Sequence, residues 1–260
     1  MKKQILTLSA AAFMAALTCQ TAFALDHDVV ILHTNDTHCG IEENMGYAGL
    51  VWYENQMKEE TPYVTLVDAG DAIQGAPVGT LSEGEYLVQI MNKAGYDFAV
   101  PGNHEFDYGM EKLLGLSARL DCGYSACNFV NLPSKTQVFA PYRIMEYDDI
   151  QVAFVGVATP ESITKSTPAY FQDQFGRYRF SFCEDETGEA LYSQVQSAVD
   201  QARGEGADYV IMVGHLGDNG ITEKWSSRSV IANTTGIDAA IDGHSHEVCV
   251  ENVPNENGEM

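Results

Sequence analysis

The amino-acid sequence predicts a mixed α/β domain built of stacked layers. Short continuous apolar runs alternate with segments of helical spacing, and a strand–turn–strand hairpin opens the second half of the chain. Neither an internal repeat nor a low-complexity linker divides it, and 45% hydrophobic residues in 260 are enough for one large core.

Each element follows from its local pattern. "DVVILHTND" is a β-branched apolar run, as expected of a strand buried on both faces. "GYAGLVWYENQMKEE" has helical spacing, and "PYVTLVDAGD" reads as a second strand. "EGEYLVQIMNKAGY" predicts a helix with Leu87, Ile90, Met91 and Ala94 on one stripe. "DFAVPGNHEFD" is a strand running into a loop, "MEKLLGLSARL" a helix, and "YSACNF" a further strand. "YRIMEYDDIQVAFVGVATP" predicts two strands around a turn at Asp148-Asp149, followed by a loop-rich stretch over 160–187. "ETGEALYSQVQSAVDQARGEG" is an amphipathic helix ending at glycines, "DYVIMVGH" a strand, and "GIDAAIDGHSHE" a short strand entering a loop. "VCVENVPNENGEM" predicts a strand entering a turn at residues 255–258. No returning strand follows, so a piece of a longer protein is expected.

The N-terminal stretch, residues 1–24, predicts a secretory signal peptide: Lys2 and Lys3 precede a short apolar run, and Ala22-Phe23-Ala24 fits a small-x-small cleavage site. The mature domain is therefore expected over 25–260, exported to a periplasm or secreted. Removing the two lysines takes the net charge from −23 to −25, a poor basis for binding nucleic acid or an anionic membrane. Five cysteines remain: Cys39, Cys122, Cys127, Cys183 and Cys249. Cys122 and Cys127 are close enough for a disulfide in an oxidising compartment, or are simply two small buried residues.

Five polar clusters each sit just after a predicted strand. They are "NDTHCG" with Asp36 and His38, "DAGDAIQG" with Asp71, "PGNHEFD" with Asn103, His104 and Asp107, "VGHLGDNG" with His215, and "DGHSHE" with His244 and His246. Ligands of open α/β sheets bind beyond the carboxyl ends of the strands, where these five loops would converge. In extended backbone, residues two apart share a face, so Asp36/His38 and His244/His246 could each grip one ion. His104 and Asp107, three apart, share a face if a helical turn starts there, and the carboxylate can orient the imidazole. Oxygen and imidazole donors suit zinc, manganese, iron or cobalt. Their number exceeds what one tetrahedral ion needs but suits two ions about 3.5–4 Å apart that share a carboxylate.

The motifs "NDTH", "DAGDAIQG", "GNHEFDYG", "VGHLGDNG" and "DGHSH" resemble the calcineurin-like metallophosphoesterase family. With "GVATPES" and "GIDAAIDGHSHE", the chain looks like the catalytic domain of the bacterial periplasmic 5′-nucleotidase branch, over residues 28–260. The resemblance implies a four-layer αββα sandwich of mixed sheets around two divalent metals. It implies Asp36, His38 and His246 on the first ion, Asp71 bridging, and Asn103, His215 and His244 on the second. His104 would lie outside the metal shell, steadying charge on the phosphoryl group or protonating the leaving oxygen, with Asp107 orienting it.

The implied activity is two-metal hydrolysis of nucleotide phosphate esters by a metal-activated water. 2′,3′-Cyclic phosphodiesterase/3′-nucleotidase and UDP-sugar hydrolase are the alternatives within the branch. Outside enzymes, a metal-loaded binding protein or an inactive fragment is the alternative. The small partner expected is a phosphorylated substrate. The branch also carries a C-terminal domain that selects the nucleoside, and no segment here matches it. Gln74 is expected to be a loop residue without a metal role, Asp68 a bracing or turn residue, and Cys39 a small buried one. Gly70 and Gly75 are expected to let backbone approach a crowded site.

Overall fold

A computed structural model of the chain describes residues 28–255 and 257–259; the predicted leader, residues 1–24, lies outside the described residues. The first half contains β1 (Val30–Thr34), α1 (Gly46–Glu60), β2 (Val64–Asp68), α2 (Pro77–Ser82), α3 (Glu85–Ala94), β3 (Phe98–Ala99) and α4 (Met110–Ser117). Then follow β4 (Val130–Asn131), β5 (Thr136–Gln137), β6 (Tyr142–Tyr147), β7 (Ile150–Ala158), α5 (Ser162–Lys165) and β8 (Phe180–Ser181). The last part holds α6 (Glu189–Gly204), β9 (Tyr209–His215), α7 (Ser227–Ala232) and β10 (Ala239–Ile241).

Two sheets carry the architecture. One is parallel, in the order β1-β2-β3; the other is mixed, in the order β10-β9-β7-β6. A small third sheet, β5-β4-β8, lies apart from them. The alternation of side chains along each strand shows the layering. On β2, Leu66 joins the core shared with α1 and α3, while Val67 turns to the core between the sheets. On β7 and β9, Val152, Phe154, Ile211 and Val213 enter that same inter-sheet core. Their neighbours Ala153, Val155, Val210 and Met212 pack on Leu191, Val195, Ala198 and Val199 of α6. Phe98 and Phe154 meet across the middle, ring centroids 5.8 Å apart. Helix, sheet, sheet, helix is the four-layer αββα sandwich, and its inner strands β2, β7 and β9 are buried on both faces, which is why they read as unbroken apolar runs; the edge strand β1, expected to be buried on both faces, is only partly buried and exposes His33.

The elements predicted from periodicity recur at their positions, and the hairpin turns at Asp148, which takes a left-handed φ of 50°. The stripe on α3 is shifted by a residue: Leu87, Val88, Met91 and Ala94 are buried, and Ile90 only partly.

Two further expectations fail. "YSACNF" is not a strand. Its amides donate to three separate partners: Ser125 to Ala99 O (2.8 Å), Ala126 to Ala140 O (3.0 Å) and Cys127 to Gly156 O (2.8 Å). The segment therefore stitches β3 to the β6–β7 hairpin and forms no ladder of its own. The residues from Val248 to Val253 form no strand either. Among the described residues no strand pairs with them, and Val248 and Val250 are fully exposed. The turn that follows is present, with Asn255 N–H donating to Glu259 O at 2.9 Å.

Cys122 and Cys127 carry free, buried thiols. Among the described residues no helix is long and apolar enough to cross a membrane.

Candidate metal centre

All five polar clusters lie at the carboxyl ends of strands of the two main sheets. Asp36 and His38 follow β1, Asp71 follows β2, Asn103 and His104 follow β3, His215 ends β9, and His244 and His246 follow β10. The structure gathers them into overlapping groups. Asp36, His38 and His246 offer ligand atoms within 4.8 Å of one another, as do Asp71, His215 and His244. Within the first, His246 Nε2 is 3.3 Å from Asp36 Oδ1 and 3.2 Å from His38 Nε2. Within the second, His215 Nε2 is 3.1 Å from Asp71 Oδ2. Asp71 Oδ2 is also 3.9 Å from His38 Nε2, and Asp36 Oδ1 is 4.0 Å from His215 Nε2. Asp71 thus stands between the groups. A third trio, His38, Asp71 and His104, overlaps both.

The donors suit a pair of cations. Asn103 Oδ1 and His215 Nε2 are buried and have no hydrogen-bond partner. His215 Nε2 approaches Asp71 outside hydrogen-bond geometry. An orphaned buried polar atom costs about 1–3 kcal/mol, a penalty that a bound ion removes. The far side of each ring is already used. His215 Nδ1–H donates to Ala69 O at 2.7 Å, and His38 Nδ1 to Gln74 O at 3.0 Å, leaving both Nε2 lone pairs for the centre.

Burial lowers the affinity of His215 for a proton, but Asp71, then Asp36, outweigh it and hold its pKa at about 10. Burial likewise works against the Asp71 carboxylate, but His215 and then His104 outweigh it and keep Asp71 ionised well below the usual range.

The backbone corrects the spacing argument. Asp36, His38, Asp71, His244 and His246 all have positive φ, from 44° to 79°. They turn through the left-handed region, which Asp and His tolerate better than most residues. Residues two apart therefore do not share a face by pleating. Asp36 and His38 do reach one group, but His244 goes to Asp71 and His215 while His246 goes to Asp36 and His38. Strain of this kind concentrates at functional sites. Gly70, at φ +93°, has no room for a side chain: a Cβ would lie 2.6 Å from Gly102 N and 2.8 Å from His215 Nδ1. Gly75, at φ +142°, would meet His38 O at 2.5 Å.

His104 and Asp107 flank a single 3₁₀ turn, His104–Phe106, and His104 Nδ1 pairs with Asp107 Oδ2 at 2.6 Å. That hydrogen bond raises the His104 pKa against partial burial. The ring stands edge-on to His38, centroids 5.2 Å apart, beside the first group. The His104 amide also donates to Asp71 Oδ1 at 2.8 Å and fixes that carboxylate between the two groups. Gln74 contributes its backbone carbonyl, which accepts from His38 Nδ1. Asp68 is fully buried and accepts from Thr34 Oγ1 (2.6 Å) and Gly70 N (3.1 Å), which makes it a brace of the turn. Cys39 is buried against Gly79, in a left-handed turn and not in a strand.

Three carboxylates escape sequence reasoning. Glu105 is wholly buried and accepts from the amides of Asp71 (2.8 Å), Ala72 (2.8 Å), Ile73 (3.3 Å) and Gly102 (2.7 Å), tying two ligand loops together. Asp242 Oδ1 accepts from Leu216 N at 2.8 Å behind His215. Glu161 Oε2 faces His244 Nε2 at 3.1 Å. The only available signal is an acidic residue one to three places from a ligand or at the end of an apolar strand, and surface acids share that position.

The profile of the calcineurin-like phosphoesterase family matches residues 29–248. The chain is 28% identical over 241 residues to a 5′-nucleotidase of Bos taurus, covering 84% of this chain and 38% of that one. It is 26% identical over 278 residues to a 2′,3′-cyclic-nucleotide 2′-phosphodiesterase/3′-nucleotidase of Yersinia enterocolitica, covering 95% and 41%. It therefore spans about two fifths of the length of these curated relatives. Among solved structures, the 5′-nucleotidase precursor from Thermus thermophilus superposes with a TM-score of 0.71 at 22% identity, over 89% of this chain and 47% of that one. Fold, strand-end loops and profile agree: the chain belongs to the calcineurin-like phosphoesterase family.

Proposed function

We propose that the chain hydrolyses phosphate esters of nucleotides. The observation that carries this reading is Asp71, a buried carboxylate shared between two groups of imidazole and carboxylate donors, with the His104–Asp107 pair alongside. Asp36, His38 and His246 would hold one divalent ion, Asn103, His215 and His244 the other, and Asp71 both. Ions held there would supply Lewis acidity toward a phosphoryl group and a nucleophilic water near neutral pH. The chain's own residues do the rest. Asp107 accepts from His104 Nδ1 and so leaves His104 Nε2 as the reactive nitrogen. Protonated, that nitrogen donates to a phosphoryl oxygen or to the departing alkoxide. Zinc, manganese, iron and cobalt all fit the donor types.

The nucleotide is inferred from the relatives, whose names specify 5′-nucleotidase activity in one case and cyclic-nucleotide phosphodiesterase/3′-nucleotidase activity in the other. The second of these aligns with 95% of this chain, so 2′,3′-cyclic and 3′-nucleotides stand as the second reading. The signal-like residues 1–24 support export to a periplasm or the exterior as part of the proposal.

The test is phosphate release from 5′-AMP, 3′-AMP, 2′,3′-cyclic AMP, ribose 5-phosphate and p-nitrophenyl phosphate by residues 25–260, with manganese or zinc and with a chelator. Metal-dependent hydrolysis of the 5′ ester is expected. Because no nucleoside clamp is recognised in the sequence, AMP should exceed ribose 5-phosphate by less than about tenfold in kcat/KM, under about 1.4 kcal/mol. Metal-loaded protein that cleaves none of these esters would refute the proposal.

A further inference from the structure

Glu161 lies beyond β7, outside every motif assigned a metal or catalytic role, yet its two oxygens are committed in opposite directions. Oε1 accepts from Thr222 twice, from the amide at 2.8 Å and from Oγ1 at 2.7 Å. Oε2 faces His244 Nε2 at 3.1 Å, with Lys165 Nζ at 3.8 Å. The residue is 8% exposed. The amide of Thr222 can only donate, so the end of Glu161 that faces it must be an oxygen. That fixes the carboxylate's rotation and aims Oε2 at the imidazole.

The opposite edge of His244 then becomes significant. Its backbone amide is held by Asp36, with Oδ1 and Oδ2 at 3.1 and 3.0 Å. Its Cδ2, next to Nε2 in the ring, lies 3.4 Å from where a Cβ on Gly217 would sit. The Nε2 side of the ring is thus taken up by Glu161, and a side chain at Gly217 would crowd Cδ2 beside it. A neutral imidazole that donates Nε2–H to a carboxylate keeps its lone pair on Nδ1.

From these contacts we infer that Glu161 is a positioning residue for the metal centre. It orients His244 and selects its Nε2–H tautomer, so that Nδ1 is the atom offered beside Asp71 and His215. Through Thr222, it also couples this ligand to the loop that follows His215. The inference rests on the two-ion reading above and adds a residue and a ligand atom to it.

Glu161→Gln is the discriminating variant. The glutamine oxygen is required by the Thr222 amide, so the NH₂ group is presented to His244 Nε2. Two donors cannot face each other, and the ring must either carry its proton on Nδ1 or turn away. Glu161→Ala presents no donor and lets water accept from Nε2. The Gln variant should therefore be worse than the Ala variant, the reverse of what loss of packing would produce.

The experiment has two parts. The first is long-range ¹H–¹⁵N spectroscopy of histidine rings in metal-free wild type at pH 8, with His244→Gln identifying the signal. The second is calorimetric titration of zinc into the wild type and both Glu161 variants, with circular dichroism as a check of fold. The expected result is an Nε2–H tautomer for His244, with one of the two ions bound about 10–100-fold more weakly in Glu161→Gln and the other unchanged. An Nδ1–H tautomer in wild type overturns the inference even if the Gln variant does not fold. So does a folded Glu161→Gln that binds both ions as the wild type does, or one less impaired than Glu161→Ala. Wild type that binds fewer than two zinc ions instead overturns the two-ion reading, and the tautomer still reports on Glu161 by itself.

Discussion

Replacing Glu105 tests whether the ligand loops are held by one buried carboxylate. The side chain is wholly buried, and each oxygen accepts two amides: Oε2 those of Asp71 and Gly102, Oε1 those of Ala72 and Ile73. Glu105→Ala strands four N–H groups, one of them in a long 3.3 Å bond. At about 1–3 kcal/mol for each unsatisfied donor, three well-made bonds give a gross loss of about 3–9 kcal/mol. Release of a desolvated carboxylate, which burial and the neighbouring Asp71 and Asp68 push up to about 7, returns part of this. A net loss of about 3–4 kcal/mol is expected, a large share of the roughly 5–15 kcal/mol of an ordinary domain. Glu105→Gln keeps one acceptor but turns an NH₂ toward the other two amides, so its loss should approach that of alanine. The assay is urea unfolding in chelator, comparing midpoints at unchanged slope. A loss under about 1 kcal/mol for Glu105→Ala would refute the clamp, because stranding even one buried donor costs that much.

Asp71→Asn should lower metal content and hydrolysis together; two ions bound at wild-type affinity would remove the bridging assignment. His104→Ala should keep both ions and lose roughly 10²–10⁴ in rate, the scale of a general acid–base contribution, and metals leaving with it would make His104 a ligand. Gly70→Ala should destabilise by at least about 2 kcal/mol, because a left-handed φ and a backbone clash with Gly102 coincide; thermal unfolding checks it. In chelator, stability should fall as pH rises from 5 to 9. Burial raises Asp68 to about 6 and Glu105 to about 7, while Asp71 and Asp36 overcome burial to hold His215 at about 10. Each group binds its proton more tightly folded than unfolded, so its contribution is full below the unfolded value and is lost through the folded one. Asp71, held low, contributes in the opposite sense only at acid pH, and His33 and His244, lowered chiefly by burial, oppose the trend only below the unfolded histidine value of 6.5, so the fall is clearest above it. A melting temperature in chelator that stays level or rises across this range would contradict the assignment.

The sequence by itself determined the layered α/β class, because strands buried on both faces must be unbroken apolar runs and helices packed on them must carry a stripe. It also located the candidate donors at strand ends, and the His104–Asp107 pair, since three residues fall within one helical turn and local geometry settles the contact. Only the tertiary structure decided how the candidate donors divide. His244 and His246 are two apart and go to different groups, because left-handed φ values break the pleat on which spacing arguments depend. Only the tertiary structure likewise made Glu105 and Glu161 more than ordinary acids. Glu105 binds amides up to 34 residues away, and Glu161 binds partners 61 and 83 residues away. "YSACNF" lost its strand for the same reason. Its amides find three different acceptors, and the partners that complete a hydrogen bond are set by how the layers stack, which local periodicity does not encode.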